Sequence, residues 1–345
     1  MKSKSLLLFG NAESVHLQRW ATGMQSRGMR VAVISRYNHE IPNVDVYALQ
    51  KKKQNKCVLL WNILKLPFLV RQINPDIVNG HYVSSYGLLS AFSSFKPLFL
   101  MAWGSDILRD KDYSLVRKYF LKLAYKRCHS FGSDSTVILD KISDRYSSSS
   151  KKGHFLFWGI DSSVYSYVDR KIEEVFTIFS NRHLESLYNI DVIIKAFMVF
   201  EKKYEKPVKL IVAGTGSEEI YLKTLQGNSS IEFIGFLKGD PAMVEVLHNA
   251  HLYVSMPETD GMPVSVLEAL STGIPTIGSD ISANRELNID TVDIDVDVLA
   301  KRMLDMAINY TSYVCAYKKK SLNIKKLYDR KKCMDEIYNA LIKVK

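Results

Sequence analysis

The 345-residue chain contains little cysteine, and its cysteines are scattered. The four are Cys57, Cys128, Cys315 and Cys333, and no closely spaced pair or cluster with histidine occurs. Disulfide frameworks and zinc sites both need closer, repeated spacings, so neither is expected. Such cysteine usage is typical of the reducing cytoplasm. We therefore expect a cytoplasmic protein. Because the sequence shows no constellation of metal-ligating residues and no D-x-D-like pair at a strand end, we expect no metal ion and no other cofactor.

Long apolar runs are also missing. The run Leu6–Phe9 is shorter than the apolar region of a signal peptide, and it is predicted to be a buried strand. The more apolar segment Cys57–Val70 is interrupted by Asn62, Lys65 and Pro67, and it is too short to span a bilayer. Nor does the sequence show a serine or cysteine nucleophile paired with a base.

Negative charge is the scarcer sign, and the net charge is +11. The excess is concentrated in Lys51–Lys56, Arg109–Arg127 and Lys318–Lys332. Nucleic acid is the usual partner for such a balance, but no nucleic-acid-binding module is recognisable. Because two of the clusters are mixed with large apolar residues, an anionic membrane surface is favoured over nucleic acid.

Two segments of the first half carry the membrane hypothesis, Tyr113–Arg127 and Cys57–Val70. The first predicts an amphipathic helix with Leu115, Tyr119 and Leu123 on one side. Its basic residues are expected on the other side: Arg117, Lys118, Lys122 and Lys126. Peripheral binding to the inner face of the cell membrane would follow. The alternative is that each segment is a core helix with a solvated outer face.

Strand-like and helix-like segments alternate along the whole chain, which predicts parallel sheets with helices on both faces. The length and the 47% hydrophobic composition suit two domains. The second half repeats the scheme of the first, and the join lies near Phe157–Asp161. Single helices are predicted over Val58–Ile73, Pro263–Ser271 and Leu327–Val344.

The most informative segment is Met256–Asp280. An apolar strand, His251–Ser255, leads into a loop, and a helix is predicted to begin at Pro263. The free N–H groups of a first helical turn and the helix dipole form an anion site. Asp260 and Glu268 flank this site, and Pro263 and Glu268 are roughly 7–8 Å apart along a helix. The alternative is an ordinary strand–turn–helix in which acids cap the helix.

This segment resembles the donor site of the retaining glycosyltransferases of family 4, which have the GT-B fold. The family has two acids eight positions apart, then a glycine and a proline, and here these are Asp260, Glu268, Gly273 and Pro275. The family's first acid is glutamate, one methylene longer than aspartate. The resemblance implies that Asp260 holds the donor sugar and that Glu268 holds the ribose of the nucleotide.

The resemblance also implies the architecture. An α/β fold with two Rossmann-like domains facing a cleft is expected. Residues 1–157 would form the acceptor-binding domain and residues 158–326 the nucleotide-sugar-binding domain. The C-terminal helix, 327–345, would return to the first domain.

Arg182 corresponds to a family arginine that binds the donor diphosphate, and a guanidinium suits phosphate oxygens. The family's lysine a few residues later is missing, and Tyr188 is expected to donate a hydrogen bond in its place. For Arg182 the alternative is a surface ion pair with Glu185. For the turn at Gly214 and Gly216 the alternative is a tight turn without a ligand. The donor-binding residues are expected to be Gly214, Gly216, Gly261, Met262, Pro263, Val264, Ser265 and Tyr188.

Candidate residues of the first domain follow predicted strands, whose carboxyl ends face the ligand crevice in open α/β sheets. His81 and Asp106 join Asp260, Glu268 and Arg182 as candidate catalytic residues, and loop hydrogen bonding is their alternative role. His16 could equally be structural. The acceptor-binding residues are expected to be Gly10, Asn11, His16 and Trp103, the last replacing a family histidine.

The resemblance implies transfer of a sugar from a nucleotide diphosphate sugar to a hydroxyl of a glycan or a lipid-linked acceptor, with retention at the anomeric carbon. Assembly of lipopolysaccharide, O-antigen or capsule is the expected pathway. Two alternatives remain. One is a non-catalytic relative that binds nucleotide sugar or partners a second transferase, motivated by the missing lysine and by Asp260. The other is a basic nucleic-acid binder.

Overall fold

The computed structural model describes residues 3–51, 56–93, 96–108, 112–146, 153–172 and 174–344. The chain divides into two units, one formed by residues 1–159 and 330–345 and the other by residues 160–329. The first boundary falls two residues after the predicted end of the N-terminal domain, and the returning C-terminal segment begins at residue 330 rather than 327.

The first unit contains a parallel sheet in the order β3-β2-β1-β4-β5-β6-β7. Its strands are β1 (Ser5–Phe9), β2 (Arg30–Ser35), β3 (Asp45–Ala48), β4 (Ile77–His81), β5 (Leu98–Ala102), β6 (Ser130–Ser133) and β7 (Gly153–Phe155). The central strands β1, β4 and β5 are buried along their whole length. This burial explains the largely apolar sequences of β1 and β5, since helices cover both faces of a parallel sheet. The strand β4 is equally buried but ends in Asn79, Gly80 and His81. The sequence did not indicate the half-exposed edge strand β3.

Helices connect these strands. They are α1 (Val15–Gln25), α2 (Lys56–Leu64), α3 (Leu66–Ile73), α4 (Leu88–Ser93), α5 (Ser105–Leu108), α6 (Leu115–Arg127) and α7 (Thr136–Arg145), with a π-helical turn at Val83–Gly87 before α4. One apolar core joins α3, α4, α6 and α7 to the strands, through residues such as Val70, Ala91 and Leu121. These four helices therefore cover the same face of the sheet.

The second unit has a parallel sheet in the order β10-β9-β8-β11-β12-β13. The strands are β8 (Phe176–Asn181), β9 (Val208–Ala213), β10 (Ile231–Gly235), β11 (Leu252–Ser255), β12 (Thr276–Ser279) and β13 (Asp290–Val292). Both units thus have the open, doubly wound topology, and the predicted α/β fold with two Rossmann-like domains is confirmed. In each sheet the strand order reverses once, between β1 and β4 and between β8 and β11. Ligands of such sheets bind where the order reverses, at the carboxyl ends of the strands.

The remaining helices are α8 (Ile190–Glu201), α9 (Glu219–Thr224), α10 (Gly239–Asn249), α11 (Val264–Thr272), α12 (Ser282–Glu286), α13 (Val296–Ile308), α14 (Tyr310–Tyr328) and α15 (Arg330–Ile342). The last of these, α15, packs against α1 in the first unit. Arg27 ties the two helices together, because its guanidinium pairs with Asp335 at 2.8 Å and also bonds the carbonyl of Lys331. The C-terminal helix therefore returns to the first domain, as expected.

Two predicted helices are divided differently in the structure. The segment Val58–Ile73 forms two helices that meet at Lys65, because Pro67 in the first turn of α3 has no N–H to continue α2. The C-terminal prediction was wrong at its start: residues up to Tyr328 belong to α14, which the sequence did not indicate. A break at Asp329 then separates α14 from α15.

The orientation predicted for α6 was also wrong. The helix packs on the sheet through Leu121, Ala124 and Tyr125. Leu115 and Tyr119, which were expected to define the apolar side, are exposed and lie on the same outer surface as several of the basic residues.

No helix in the described part of the chain is both long and apolar enough to cross a membrane. Residues 147–152, where the run of four serines and two lysines predicts an exposed loop, lie outside the described residues. So do residues 52–55 and 109–111 of the basic clusters.

Candidate active site

Arg182 and Asp260 meet at the point where the strand order of the second sheet reverses. Arg182 directly follows β8, and Asp260 lies in the loop after the neighbouring strand β11. Their side chains form an ion pair, with Arg182 Nη2 at 2.7 Å from Asp260 Oδ2 and exposed fractions of 10% and 20%. The alternative, a surface pair between Arg182 and Glu185, does not form; Glu185 instead accepts hydrogen bonds from the backbone N–H and hydroxyl of Ser217.

Arg182 is fixed from three sides. Its Nη1 donates to Ser265 Oγ at 3.0 Å, and its guanidinium lies over the ring of Tyr188 at 4.5 Å from the centroid. Burial favours the neutral form, but the carboxylate of Asp260 and the phenols of Tyr253 and Tyr188 together outweigh it, so the pKa of Arg182 is raised. The result is a permanently charged, oriented guanidinium at a strand end, which is suited to phosphate oxygens.

Asp260 is held as firmly as its partner. While Oδ2 accepts from Arg182, Oδ1 accepts the backbone N–H of Gly261 at 2.9 Å. Met262, next in the loop, is buried. These hydrogen bonds hold the carboxylate of Asp260 near the N-terminus of α11.

The N-terminus of α11 lies beside this pair. The helix begins at Val264, and Pro263 is its N-cap rather than its first residue, so that part of the prediction was wrong by one position. The first helical hydrogen bond runs from the N–H of Leu267 to the carbonyl of Pro263. The N–H groups of the first turn precede this bond, and the first turn contains no acid. Backbone donors and the positive end of the helix dipole therefore lie next to Arg182.

Glu268 lies on α11 and is buried, 8% exposed. It is close enough to Tyr253 on β11 to act on that phenol electrostatically. Burial raises the pKa of Tyr253 to about 12, Glu268 and Asp260 contribute in the same direction, and Arg182 opposes them. The phenol donates a hydrogen bond to Asn181 Oδ1 at the end of β8. Tyr253 and Asn181 therefore belong to the same cluster, which places the two predicted acids and the predicted arginine together.

The glycine turn after β9 packs closely against the loop that contains Arg182. A Cβ on Gly214 would lie 2.2 Å from the carbonyl oxygen of Arg182, and one on Gly216 would lie 2.2 Å from that of Leu184. The N–H of Leu184 also bonds the carbonyl of Thr215. The two glycines thus let this turn approach the Arg182 loop.

In the first unit, His81 ends β4 and is buried. Trp103 Nε1 donates to His81 Nδ1 at 3.2 Å, so the ring proton lies on Nε2, which then donates to Asn79 Oδ1 at 3.0 Å. Burial lowers the pKa of His81 to about 3. A neutral ring with both nitrogens engaged favours the structural alternative over acid–base catalysis.

Asp106 is fully buried and joins two loops. Its Oδ2 accepts the N–H of Val83 at 2.8 Å, and its Oδ1 accepts that of Trp103 at 3.0 Å. Burial raises the pKa of Asp106 to about 6, although these backbone donors oppose the shift. The loop-bonding alternative is therefore favoured for Asp106 as well.

An aromatic cluster surrounds these residues at the strand ends of the first unit. His16 lies 4.4 Å from the ring of Trp158 and 6.1 Å from that of Trp103, and Trp20 meets His81 edge-on at 5.0 Å. Desolvation among these rings, followed by Arg19, lowers the pKa of His16 to about 4, although the side chain keeps an exposed face. His16 and Trp103 thus form one aromatic surface.

The two predicted turn residues lie beside this cluster. Gly10 follows β1, and its N–H bonds the carbonyl of Ile34, whereas the exposed Asn11 accepts the N–H of Glu13. All four predicted acceptor residues therefore lie at the carboxyl edge of the first sheet. Trp20 and Trp158, which the sequence did not indicate, are also buried within the cluster, and neither indole N–H has a hydrogen-bond partner among the described residues.

Comparisons with known protein families match most of the chain. The family described as glycosyl transferase 4-like matches residues 5–135, and the family described as glycosyl transferases group 1 matches residues 168–306. The chain belongs to the GT4-like glycosyltransferases. The matched ranges include the aromatic residues His16 and Trp103 in the first unit and the Arg182–Asp260 pair in the second.

Individual relatives of this glycosyltransferase are distant. An uncharacterized glycosyltransferase of Haemophilus influenzae is 31% identical over 107 residues, which span 31% of this chain and 30% of that protein. HepE of Anabaena, solved in complex with UDP and glucose, is 14% identical with a TM-score of 0.79 and covers 98% of this chain and 99% of its own. Sucrose-phosphate synthase of Thermosynechococcus elongatus is 12% identical with a TM-score of 0.80, and the match covers 98% of this chain and 99% of that one. These structures establish the GT-B fold.

Proposed function

We propose that this glycosyltransferase moves a sugar, with retention at the anomeric carbon, from a nucleotide diphosphate sugar to a hydroxyl of a glycan or lipid-linked acceptor. The observation that carries the proposal is the meeting of Arg182, Asp260 and the N-terminus of α11 where the second sheet reverses its strand order. A charged guanidinium beside free helix N–H groups is suited to a diphosphate. The carboxylates on either side suit the hydroxyl groups of sugars.

Each residue of the cluster has a role in this proposal. Arg182, the hydroxyl of Ser265 and the first N–H groups of α11 hold the diphosphate. Asp260 accepts hydrogen bonds from hydroxyls of the donor sugar, and Glu268 does so from the ribose. Tyr188, stacked on the guanidinium, keeps Arg182 in position and stands where the family's missing lysine would be.

The reaction breaks the bond between the anomeric carbon and the diphosphate oxygen, and the diphosphate leaves with the electron pair. The acceptor oxygen forms the new glycosidic bond and gives up its proton, which a phosphate oxygen of the leaving group can accept. Negative charge on the diphosphate therefore grows during the step. Arg182 and the dipole of α11 are already oriented to stabilise it, a contribution that needs no metal ion.

The aromatic surface of His16 and Trp103, with Gly10 and Asn11 beside it, is proposed to bind the acceptor. Aromatic faces suit the apolar face of a sugar ring, and Asn11 is exposed for hydrogen bonding. Assembly of lipopolysaccharide, O-antigen or capsule at the inner face of the cell membrane is the proposed setting, because the first unit carries basic helices with large exposed apolar residues.

A second candidate function is supported by one observation. Asp260, which occupies the position of the family's first acid, is already paired with Arg182. No lysine in Leu187–Asn189 supplements the charge of that arginine. A protein that binds a nucleotide sugar without transferring it would also show this pairing.

A panel of nucleotide diphosphate sugars tests the proposal. Thermal shift identifies the donor, since a ligand that binds the native state raises the apparent stability. HepE was solved with UDP and glucose, so UDP-sugars are the first to test. Release of the nucleoside diphosphate in the presence of a lipid-linked acceptor and EDTA supports the enzyme. Binding without release supports the second candidate, and binding of no donor overturns both.

A further inference from the structure

The first unit exposes large apolar side chains along one stripe of α2 and α3. Leu60, Trp61, Leu64 and Phe68 are 61%, 59%, 66% and 77% exposed. Their spacing places them on successive turns of one surface. The opposite side of α3 is buried in the core through Leu66 and Val70. The stripe is therefore an outward-facing surface of a helix pair whose inward side is already packed.

A second group of exposed apolar residues lies on α4 and α6. Leu115, Val116 and Tyr119 are 82%, 65% and 61% exposed, and the partly exposed rings of Phe92 and Phe120 meet edge-on at 5.6 Å. Because α3 packs beside α4 and α4 beside α6, both groups belong to one face of the unit. We call the outer surface of α2, α3, α4 and α6 the helical face. Soluble proteins rarely expose so many large apolar residues on one surface unless something binds there.

The charge of the helical face has one sign. The sequence contains no Asp or Glu in residues 46–75, 77–105 or 113–133, which include all four helices. The basic side chains lie among the apolar ones: the ammonium of Lys65 lies over the ring of Trp61 at 4.8 Å, and the guanidinium of Arg127 lies over that of Phe92 at 5.4 Å. Such a surface complements a partner that is both apolar and anionic.

A shallow depression of about 280 Å³ adjoins this face between α6 and α7. Its lining consists of Lys118, Tyr119, Lys122, Arg145 and Tyr146. Three cations and two phenols around one depression suit a phosphate group. Tyr119 belongs both to the depression and to the exposed apolar group, so one ligand surface could occupy both.

We propose that the helical face docks on an anionic phospholipid bilayer. Leu60, Trp61, Leu64 and Phe68 enter the boundary between headgroups and acyl chains, and the depression at Lys118 and Lys122 receives a lipid phosphate. An apolar protein partner would not account for three acid-free segments, and a nucleic acid would not account for the exposed leucines and valine. The inference deepens the membrane association proposed above, but it concerns lipid binding alone.

Flotation of the full-length protein with vesicles tests the inference. Vesicles of phosphatidylcholine alone are compared with vesicles of two parts phosphatidylcholine to one part phosphatidylglycerol, at low and physiological salt. We expect co-flotation with the anionic vesicles, weakened by salt. Failure to float with them at low salt overturns the inference. UDP binding is measured on the same sample, and if it is retained, that failure leaves the proposed sugar transfer standing and removes only its membrane setting.

Variants assign the face. The pair Leu64→Ser and Phe68→Ser removes apolar contact, and the pair Lys118→Gln and Lys122→Gln removes charge. The charge pair is expected to weaken vesicle binding by about 10- to 30-fold, from typical values for basic residues at an anionic surface. The apolar pair is expected to weaken it by about 100-fold or more, from typical values for buried apolar side chains. Matched controls in the second unit are Ile220→Ser with Phe236→Ser, at residues 83% and 66% exposed, and Lys202→Gln with Lys203→Gln. Equal losses in test and control pairs overturn the assignment.

Tryptophan fluorescence gives an independent readout. The chain has four tryptophans, of which Trp20 and Trp158 are buried and Trp61 is 59% exposed. On anionic vesicles we expect a blue shift and quenching by lipids brominated near the headgroup, both absent from Trp61→Phe. Flotation with unchanged Trp61 emission would overturn the docking geometry. Self-association without lipid, seen by light scattering and abolished by Leu64→Ser with Phe68→Ser, would instead assign the face to a second copy and overturn the inference.

Discussion

Arg182 and Asp260, separated by 78 positions in the sequence, form a partly buried ion pair with an N–O distance of 2.7 Å at the carboxyl ends of two adjacent strands. The pair has a direct consequence for ligand binding. A phosphate and the carboxylate of Asp260 compete for the same guanidinium. Donor binding must therefore shift Arg182 from Asp260 toward the diphosphate, or share it between them.

Replacement of Asp260 by Asn separates sugar contact from diphosphate contact. We expect transfer to fall about 10- to 100-fold, since a hydrogen bond to a charged group contributes about 1.5–3 kcal/mol. Affinity for the free nucleoside diphosphate should stay the same or increase, because Arg182 loses its competing carboxylate. Steady-state kinetics and calorimetry measure the two effects. The exposed loop acid Glu258, changed to Gln, is the matched control. Equal losses of transfer and nucleotide affinity in Asp260→Asn would argue against this division of roles.

Glu268 is expected to recognise the nucleoside rather than the phosphates. Glu268→Gln keeps the shape of this buried side chain and removes its charge. Affinity for the nucleoside diphosphate should weaken about tenfold or more, as for loss of one charge-assisted hydrogen bond. Binding of inorganic pyrophosphate should not change. Titrations of both ligands into the same preparation, with a thermal melt as a folding control, make the comparison. Weakened pyrophosphate binding in a well-folded variant would contradict the assignment.

The glycine turn after β9 should matter through the position of Arg182. In Gly216→Ala the new methyl would lie 2.2 Å from the carbonyl oxygen of Leu184, so the Arg182 loop must move. We expect both lower thermal stability and weaker nucleotide binding. Gly235→Ala is the control, since its φ of +69° is strained but nothing lies within 4 Å of its new methyl group. The control should lose about 1–2 kcal/mol of stability from the left-handed backbone alone and keep its nucleotide affinity. Unaltered binding by Gly216→Ala would show that the loop tolerates displacement.

The buried His81 makes stability depend on pH. Burial lowers its pKa from 6.5 to about 3, so the native ring stays neutral while the unfolded chain takes up a proton below pH 6.5. The stability that this residue contributes is complete above pH 6.5 and is lost as the pH falls, by about 2 kcal/mol between pH 6.5 and 5. Urea denaturation of the wild type and of His81→Gln should show their difference in unfolding free energy shifting by this amount.

The effect of Asp106 on the pH dependence of stability is opposite to that of His81. The difference in unfolding free energy between the wild type and His81→Gln is therefore informative, because the effect of Asp106 cancels in it. The pKa of Asp106 is about 6 in the native state and 3.8 in the unfolded chain. As the pH rises, Asp106 therefore loses its proton in the unfolded chain before it does so in the native state. Stability from Asp106 is therefore lost with rising pH in that window and gained on acidification. The two effects offset each other between about pH 4 and 6 in the wild type. A pH-independent difference between the wild type and His81→Gln would contradict the neutral, buried state of the ring.

Much of the candidate site follows from local sequence signals. Arg182 directly follows a strand, Pro263 directly precedes a helix, and Asp260 lies in the loop between a strand and that helix. Parallel strands bring their carboxyl ends to one edge. Asp260 and Glu268 lie in one strand–loop–helix unit, so their relative positions depend on local structure alone. The fold class followed for the same reason, because the alternation of strands and helices is local.

Other features depend on packing that the sequence does not display. Tyr253 reads as an ordinary aromatic strand residue, and only the neighbouring strand brings Asn181 and Arg182 to its phenol. The long helix α14 was missed because Lys318–Lys320 interrupt its apolar pattern in the middle. The orientation of α6 was misjudged because its inward residues, Leu121, Ala124 and Tyr125, are no more apolar than its outward ones.

Calorimetric titration of the nucleoside diphosphate identified by the donor panel, into the wild type and Arg182→Gln, tests the central claim most directly. The account expects binding by the wild type, an affinity at least about tenfold weaker in Arg182→Gln, from the loss of charge-assisted hydrogen bonds, and a partial loss in Arg182→Lys. The nucleoside without phosphates should bind the wild type and Arg182→Gln alike. Equal affinity of the wild type and a folded Arg182→Gln for the nucleoside diphosphate would contradict the account.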